Sequence, residues 1–328
     1  MDGVKAYEEK FNQKTTNVLN NNLDKPYLEG FYYFINNHLS YSSTYDYVNY
    51  ILSFMNFANK LPEELTLDDY TKYLSSLRDK TSSYQISVYS ALKKFSTYLL
   101  ANGKNTLNPM QYIKRPKVVE SKETKLKREN GYLKEDEITI YLQTIEDGAG
   151  TSRAVARQEG WKERDKLIAY IFLATGMRCS ALFKLNVENI DFDNNKLNTT
   201  EKRDKIVEYP MSDELMECIS DWLRKRQELL QEREEDALFI SNQRTRMDQS
   251  SIYRVVQKFA ENIPGKNITP HKLRATYGSC IFNETKNLYL TQKCMGHSNP
   301  KTTEIYIRGQ EDATKETGLQ IMSKNLKF

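Results

Sequence analysis

The sequence predicts a mainly α-helical protein that carries a small antiparallel β-sheet in its second half. Three observations lead to this fold class. From residue 26 to residue 108, apolar side chains recur at helical spacing throughout. Residues 114–131 then lose any apolar period and are rich in charge. Beyond them helical patterns return, interrupted at residues 189–211 by short β-like segments separated by turn residues.

The composition indicates a globular protein of two domains. The chain has 328 residues, of which 39% are hydrophobic and 28% are charged, as in ordinary folded chains. It contains no run of about 18 apolar residues and no signal-peptide pattern, so we expect no membrane partner. The net charge of +4 favours a polyanionic partner without requiring one.

The four cysteines suggest a reducing compartment. Cys179, Cys218, Cys280 and Cys294 are scattered without CxxC pairing, which fits reduced thiols in a cytoplasm. A zinc site from His271, Cys280, Cys294 and His297 is conceivable, but these spacings match no common zinc motif. We therefore expect no metal or other cofactor.

The first domain is predicted to be a compact bundle of about four or five helices, residues 26–113, preceded by a short helix or loose arm in residues 1–25. Its apolar stripes consist of Val48, Ile51, Leu52 and Met55, and of Val88, Leu92, Phe95 and Leu99. Thr66 and Asp69 have capping-box spacing, and Gly103 followed by Pro109 indicates a helix end. His38 belongs to no motif and is expected at the surface.

Residues 114–131 are predicted to be an extended linker with an excess of basic residues. Two interpretations remain open at this point: a solvated tether, or a strap that lies along a phosphate backbone. The second domain, residues 132–328, follows.

The second domain is predicted to contain a buried helix, a loop and a small sheet. Lys166 to Thr175 is apolar nearly all round, and Gly176 can end that helix in a left-handed cap. Residues 147–160 contain Gly148 and Gly150 and are predicted to be a loop with a variable insertion. Strands are expected at residues 190–192, 196–200 and 206–209, and helices at 212–230 and 251–262. Thr269 and Pro270 mark another helix start.

Several polar residues of this domain stand where packing alone would not require them. Arg178 follows the buried helix directly, and His271 and Arg274 share a helix face at i, i+3. His297 precedes Ser-Asn-Pro, which is typical of a helix start, and Tyr306 lies on the predicted helix two turns later. Each feature alone has an ordinary structural explanation, but their order and spacing are specific.

These residues resemble the signature boxes of the tyrosine recombinases, the family of phage integrases and Xer-like enzymes. The boxes are Thr-Gly-Met-Arg-Cys-Ser ending at residue 180, Thr-Pro-His-Lys-Leu-Arg ending at Arg274, and Met-Gly-His-Ser at 295–298 continuing to Tyr306. The arginines are 96 positions apart (178 to 274), and nine positions separate His297 from Tyr306. The resemblance covers the second domain, and the first resembles the family's core-binding domain without a sharp motif.

The resemblance implies a catalytic role for each residue. Arg178 and Arg274 would stabilise the charge that develops on the attacked phosphate without a metal. His271 would be the general base for the nucleophile Tyr306, whose hydroxyl is weakly acidic (pKa about 10) and needs assistance. His297 would donate a hydrogen bond to the phosphate.

The family also uses a lysine on a β-hairpin to protonate the departing 5′-oxygen. Counting back from Pro210 aligns Lys202 with this lysine. However, Glu-Lys-Arg-Asp-Lys at 201–205 replaces the family's usual Gly-Lys-Gly. Because the missing glycines alter the turn, Lys205 remains a competitor for the role.

The implied partner is double-stranded DNA with inverted core half-sites. The implied assembly is a dimer that becomes a tetramer on DNA, joined through a C-terminal tail helix whose apolar side carries Leu319, Ile321, Met322 and Leu326. The expected activity is that of a mobile-element or Xer-like recombinase, cytoplasmic and associated with the nucleoid. The alternatives are a type IB topoisomerase and a catalytically silent DNA-binding protein.

Overall fold

The computed structural model describes residues 2–117, 131–201 and 205–296, with side chains for 8–117, 131–199 and 206–296. The chain divides into two compact units, Met1–Ser121 and Lys122–Phe328. The division falls within the predicted linker, most of which lies outside the described residues. Among the described residues, no helix is long and apolar enough to cross a membrane.

The first unit is helical, as its periodicity predicts. Its α-helices are α1 (Asp2–Asn20), α2 (Pro26–Asn36), α3 (Tyr41–Ala58), α4 (Leu67–Ser76) and α5 (Ser82–Ala101), with 3-10 turns at Pro62–Glu64 and Pro109–Gln111. Thr66 and Asp69 form the predicted capping box, in which the Asp69 carboxylate accepts from the Thr66 amide at 2.8 Å. At the N-terminus the structure shows a helix.

Aromatic side chains form much of the core of this unit. Phe31 on α2 meets Phe95 on α5 edge to face, with ring centroids 5.3 Å apart. Phe54 on α3 lies 4.7 Å from the buried ring of Tyr70 on α4. These pairs join four helices, because aromatic rings bury large areas and prefer such tilted contacts. Many of the tyrosines of this unit thus serve packing.

The second unit is built around one buried helix. Its α-helices are α6 (Glu135–Asp147), α7 (Ser152–Glu159), α8 (Lys162–Thr175), α9 (Cys179–Leu182), α10 (Asp213–Leu230), α11 (Gln249–Lys258), α12 (Pro270–Thr285) and α13 (Leu288–Cys294). The central helix α8 packs against α6, α10, α11 and α12. This explains the apolar character of its second part, residues 167–175.

The predicted sheet is confirmed as three antiparallel strands in the order β1-β2-β3. The strands are β1 (Ile190–Asp191), β2 (Lys196–Glu201) and β3 (Lys205–Pro210). In the register of β2 and β3, Leu197 pairs with Tyr209 and Glu201 with Lys205. Residues 202–204, which separate Glu201 from Lys205 in the sequence, lie outside the described residues.

The predicted loop at residues 147–160 is wrong in its second part. Residues Ser152–Glu159 form helix α7, and the Thr151 side chain caps it by accepting from the Ala154 amide. None of the residues of α7 is buried. Only Ala154, Val155 and Gln158 are partly buried, which is too short an apolar pattern for periodicity to reveal the helix.

The helix expected at residues 251–262 is also displaced. Helix α11 begins at Gln249, because the Asp248 carboxylate accepts from the Ser251 amide at 2.6 Å and forms the N-cap. It ends at Lys258. Phe259, the last apolar residue of the predicted stripe, is buried all the same.

A buried ion cluster joins α8 to α11. The Asp165 carboxylate is 1% exposed, and Arg164 donates to its Oδ1 at 2.9 Å while Lys258 donates to its Oδ2 at 2.8 Å. Arg164 also donates to the Ile240 carbonyl at 2.9 Å and stacks over the Trp161 ring. One buried carboxylate is therefore shared by a buried arginine and a lysine whose side chain is 30% exposed.

Candidate active site

The N-terminal turn of α12 carries two of the predicted catalytic residues. Thr269 caps this helix, and Pro270 occupies its first turn, as predicted. His271 and Arg274 follow at i, i+3, so they lie on one side of α12. Arg274 is 6% exposed.

Arg274 links the ends of three helices. Its guanidinium donates to the carbonyl of Gly176, just beyond α8, and to the carbonyl of Met295, just beyond α13. A forked guanidinium that meets two fixed carbonyls has a fixed orientation. The direction in which Arg274 points is therefore set by two other elements of the fold.

Gly176 combines two structural requirements at this site. It ends α8 in the left-handed region with φ of 59°, and its amide donates to the Phe172 carbonyl. A Cβ at this position would lie only 2.2 Å from the Tyr277 ring on α12. Glycine is thus required both by the backbone conformation and by the close approach of α12.

Arg178 stands at the N-cap of the short helix α9 and is half-buried. The turn that leads to Arg178 is stabilised by a local side chain. The Thr175 hydroxyl accepts from the Met177 amide at 3.1 Å and donates to the Ile171 carbonyl at 2.6 Å. Met177, which immediately precedes Arg178, is fully buried. The backbone beneath Arg178 is therefore firmly held.

The electrostatic environment of His271 includes both arginines. Burial is the largest cause that lowers the pKa of His271, and the positive charges of Arg274 and Arg178 lower it further. The residue is nevertheless exposed to solvent at the start of α12. With its pKa below the ordinary 6.5, the imidazole is neutral at pH 7 and can accept a proton.

The structure thus brings together Arg178, His271 and Arg274, from α9 and α12. Lys202, His297 and Tyr306 lie outside the described residues, so their assigned roles remain predictions. Lys205 begins β3 and pairs with Glu201, but its side chain is also outside the described set. Lys202 follows Glu201 directly in the sequence.

Sequence reasoning missed the supports of Arg274. Gly176 was predicted only as a helix end, and Met295 only as part of a motif. The Gly176 carbonyl and the Arg274 guanidinium are separated by 98 positions, and no local pattern predicts such a contact. Among the described residues, no group of three or more His, Cys, Asp or Glu side chains is arranged to hold a metal.

Comparison with known proteins agrees with this fold. The profile of the phage integrase family matches residues 132–312. A tyrosine recombinase XerC from Thermodesulfovibrio yellowstonii is 28% identical over 269 residues, covering 79% of this chain and 83% of the relative. A XerC from Pseudomonas fluorescens is 32% identical over 162 residues, covering 48% of this chain and 54% of the relative.

Solved structures share the fold at low sequence identity. The XerH recombinase bound to difH substrate, a pre-cleavage complex, has a TM-score of 0.65 and 19% identity, covering 85% of this chain and 79% of that one. A lambda integrase (75–356) dimer bound to a COC' core site has a TM-score of 0.63 and 15% identity, covering 86% and 94%. The Tn1549 transposon integrase in complex with circular intermediate DNA has a TM-score of 0.59 and 18% identity, covering 85% and 94%.

The fold and these matches define a tyrosine recombinase, the class of enzymes that cleave and rejoin DNA in site-specific recombination. The chain belongs to the phage integrase family. The topoisomerase and the catalytically silent DNA-binding protein are not favoured by any of these relatives.

Proposed function

We propose that this chain recombines DNA at specific sites through a covalent bond between Tyr306 and a 3′-phosphate of the cleaved strand. The observation that carries the proposal is the cluster of Arg178, Arg274 and a neutral His271 on a fold shared with recombinases. Two guanidiniums supply the positive charge that a phosphodiester needs during attack. A neutral imidazole beside them supplies a proton acceptor.

The proposed cleavage step exchanges one phosphate ester for another. The Tyr306 hydroxyl oxygen attacks the phosphorus while its proton passes to His271. A new P–O bond forms to tyrosine, and the bond to the 5′-oxygen breaks. Lys202 gives that oxygen its proton, and His297 donates a hydrogen bond to the phosphate. Rejoining is the reverse with a new 5′-hydroxyl, so the bond energy is retained and no cofactor is consumed.

We propose double-stranded DNA with inverted half-sites as the partner. Phosphate contacts from lysines and arginines of both domains and of the linker at 114–131 would position the duplex. The lambda integrase tetramer bound to a Holliday junction is a structural neighbour of this chain. We extend the same assembly to this chain, with pairs on half-sites that join into a tetramer.

A transposon integrase among the neighbours supports the proposal that the natural task is movement of a mobile element. Action on DNA would place the protein in the cytoplasm at the nucleoid. The domain assignment that goes with this proposal has an arm at residues 1–25, a core-binding domain at 26–113, the linker, and a catalytic domain at 132–328.

The nucleophile is tested by covalent trapping on a nicked substrate. Tyr306→Phe should form no protein–DNA adduct while its half-site affinity stays unchanged, because affinity comes mainly from phosphate contacts. Tyr289→Phe is the matched control, because Tyr289 is an exposed tyrosine on α13 and should leave adduct formation intact. An adduct with Tyr306→Phe would refute the assignment.

The tail is proposed to dock on a neighbouring protomer. Its apolar side is too short to form a stable helix alone, so it needs a surface to cover it. Truncation after Gly309 should leave binding to one half-site unchanged but remove cooperative pairing and most recombination, measured by gel shift and by product formation. Within the tail, Leu319→Ala should weaken cooperative pairing as the truncation does, and Lys324→Ala is its control. Normal synapsis by the truncated protein would show that the tail is dispensable.

A further inference from the structure

The segment at residues 132–134, near the start of the second unit, is hydrogen-bonded to α12, the helix that carries His271 and Arg274. The Leu133 amide donates to the Thr276 hydroxyl on α12 at 2.8 Å, in a buried position. Thr276 and Leu133 are 0% and 1% exposed. A contact across 143 positions therefore joins the start of this unit to α12.

The same hydroxyl also reaches the first turn of α12. Thr276 donates to the Lys272 carbonyl at 2.9 Å, and Lys272 lies between His271 and Arg274 in the sequence. The Leu133 amide, the Thr276 hydroxyl and the Lys272 carbonyl thus form a continuous chain of hydrogen bonds. The bond from Leu133 is buried and the bond to Lys272 is partly buried, and bonds of this kind are stronger than in water.

A second attachment holds the neighbouring residue. Lys266, in the loop before α12, donates to the Tyr132 carbonyl at 2.8 Å and to the Glu137 carboxylate at 2.6 Å. The Lys266 side chain is only 6% exposed. Glu137 in turn accepts from the Lys134 amide at 2.7 Å and so caps α6. Residues 132–134 are therefore bound both to the loop before α12, through Lys266, and to α12 itself, through Thr276.

We propose that Thr276 is a positioning residue for His271 and Arg274. Through its hydrogen bonds, the position of residues 132–134 determines the position of the α12 turn that carries these two catalytic residues. The inference rests on the proposed function. Under it, displacement of residues 132–134 misaligns the catalytic residues without unfolding the unit. Cleavage then depends on how residues 132–134 are held, and half-site affinity does not.

The test compares two buried threonines that make equivalent bonds. Thr144 on α6 is 3% exposed, donates to the Ile140 carbonyl at 2.8 Å and accepts from the Asn262 side chain at 3.1 Å. Like Thr276, it makes one bond within its helix and one to another segment. Thr144→Val therefore reproduces the loss of a buried hydroxyl on a helix that carries none of the predicted catalytic residues.

Single-turnover cleavage of a nicked half-site substrate is measured at saturating and at limiting protein for Thr276→Val, Thr276→Ser and Thr144→Val. Thr276→Val should lower the saturated rate about tenfold or more, since a displacement of about 1 Å costs up to about 100-fold. Its half-site affinity should stay within about twofold, because phosphate contacts dominate affinity. Thr276→Ser, which keeps the hydroxyl, should restore the rate, and Thr144→Val should cleave as the unsubstituted protein does.

Equal rates for Thr276→Val and Thr144→Val would overturn the positioning role, as would a loss confined to affinity. If Thr276→Val does not fold, Lys266→Met breaks the second attachment, and an unchanged saturated rate in that variant would likewise overturn the proposal. Absence of any adduct with the unsubstituted protein would instead refute the proposed function, so the two failures are distinguishable.

Discussion

Substitution of Gly176 by alanine tests the close approach of α8 and α12. The added Cβ would lie 2.2 Å from Tyr277 Cδ1 and 2.8 Å from its Cε1, both shorter than any tolerated contact. The left-handed φ of 59° costs an alanine about 1–2 kcal/mol. Forced displacement of a packed ring costs about 1–3 kcal/mol more. The expected loss of unfolding free energy is therefore about 2–5 kcal/mol, a large share of the stability of a typical domain.

A matched glycine separates the two contributions. Gly265 also has a positive φ, of 72°, but a Cβ there would meet nothing within 4 Å. Gly265→Ala should therefore cost only the backbone term of about 1–2 kcal/mol. In the double variant Gly176→Ala/Tyr277→Ala, removal of the ring should recover the packing term, so the two substitutions should be less destabilising together than their sum.

Tryptophan fluorescence during urea unfolding is a suitable assay, because both tryptophans, Trp161 and Trp222, belong to the second unit. Cleavage measured in parallel should fall about 100-fold for Gly176→Ala, since the carbonyl that orients Arg274 moves with the backbone. Equal destabilisation by Gly176→Ala and Gly265→Ala, with additivity in the double variant, would refute the reasoning.

Two further predictions concern proton transfer. Because burial and the charges of Arg274 and Arg178 lower the pKa of His271, neutral His271 persists into mildly acidic solution, and the rate of adduct formation should decline only with a midpoint below 6.5. His38→Gln should leave this profile unchanged, whereas an acid limb at or above 6.5 would contradict His271 as the base. Lys202→Ala should be slow on ordinary DNA and recover on a substrate with a bridging 5′-sulfur, because a thiolate leaves without a proton. Rescue of Lys205→Ala instead of Lys202→Ala would move the role of general acid to Lys205.

The helices could be predicted wherever one face is buried. The stripe that includes Val48, Ile51 and Met55 became the core face of α3, and the apolar run at 166–175 became the central helix α8. Helix α7 was missed because none of its residues is buried, so nothing selects apolar side chains there. The start of α11 was displaced because Asp248, a polar residue outside the stripe, forms its cap.

The candidate site was predictable only as a set of residue types. Spacing places His271 and Arg274 on one helix face, and the family resemblance adds Arg178. The carbonyls of Gly176 and Met295 that orient Arg274 carry no side-chain signal, because every residue has a carbonyl. The Leu133 amide, which donates to the Thr276 hydroxyl, likewise carries no side-chain signal. Such contacts depend on how distant segments pack, which a sequence pattern does not encode.

The shared carboxylate of Asp165 constrains how the protein can diverge. Replacement of Asp165 alone would leave the charges of Arg164 and Lys258 uncompensated beside α8, whereas an apolar trio could pack there at little cost in stability. A lineage that exchanges the cluster must therefore change the three positions nearly together or pass through an unstable intermediate. In divergent relatives we expect these positions to be either all retained or all replaced. This covariation would be visible in an alignment without any knowledge of the DNA that the enzyme cuts.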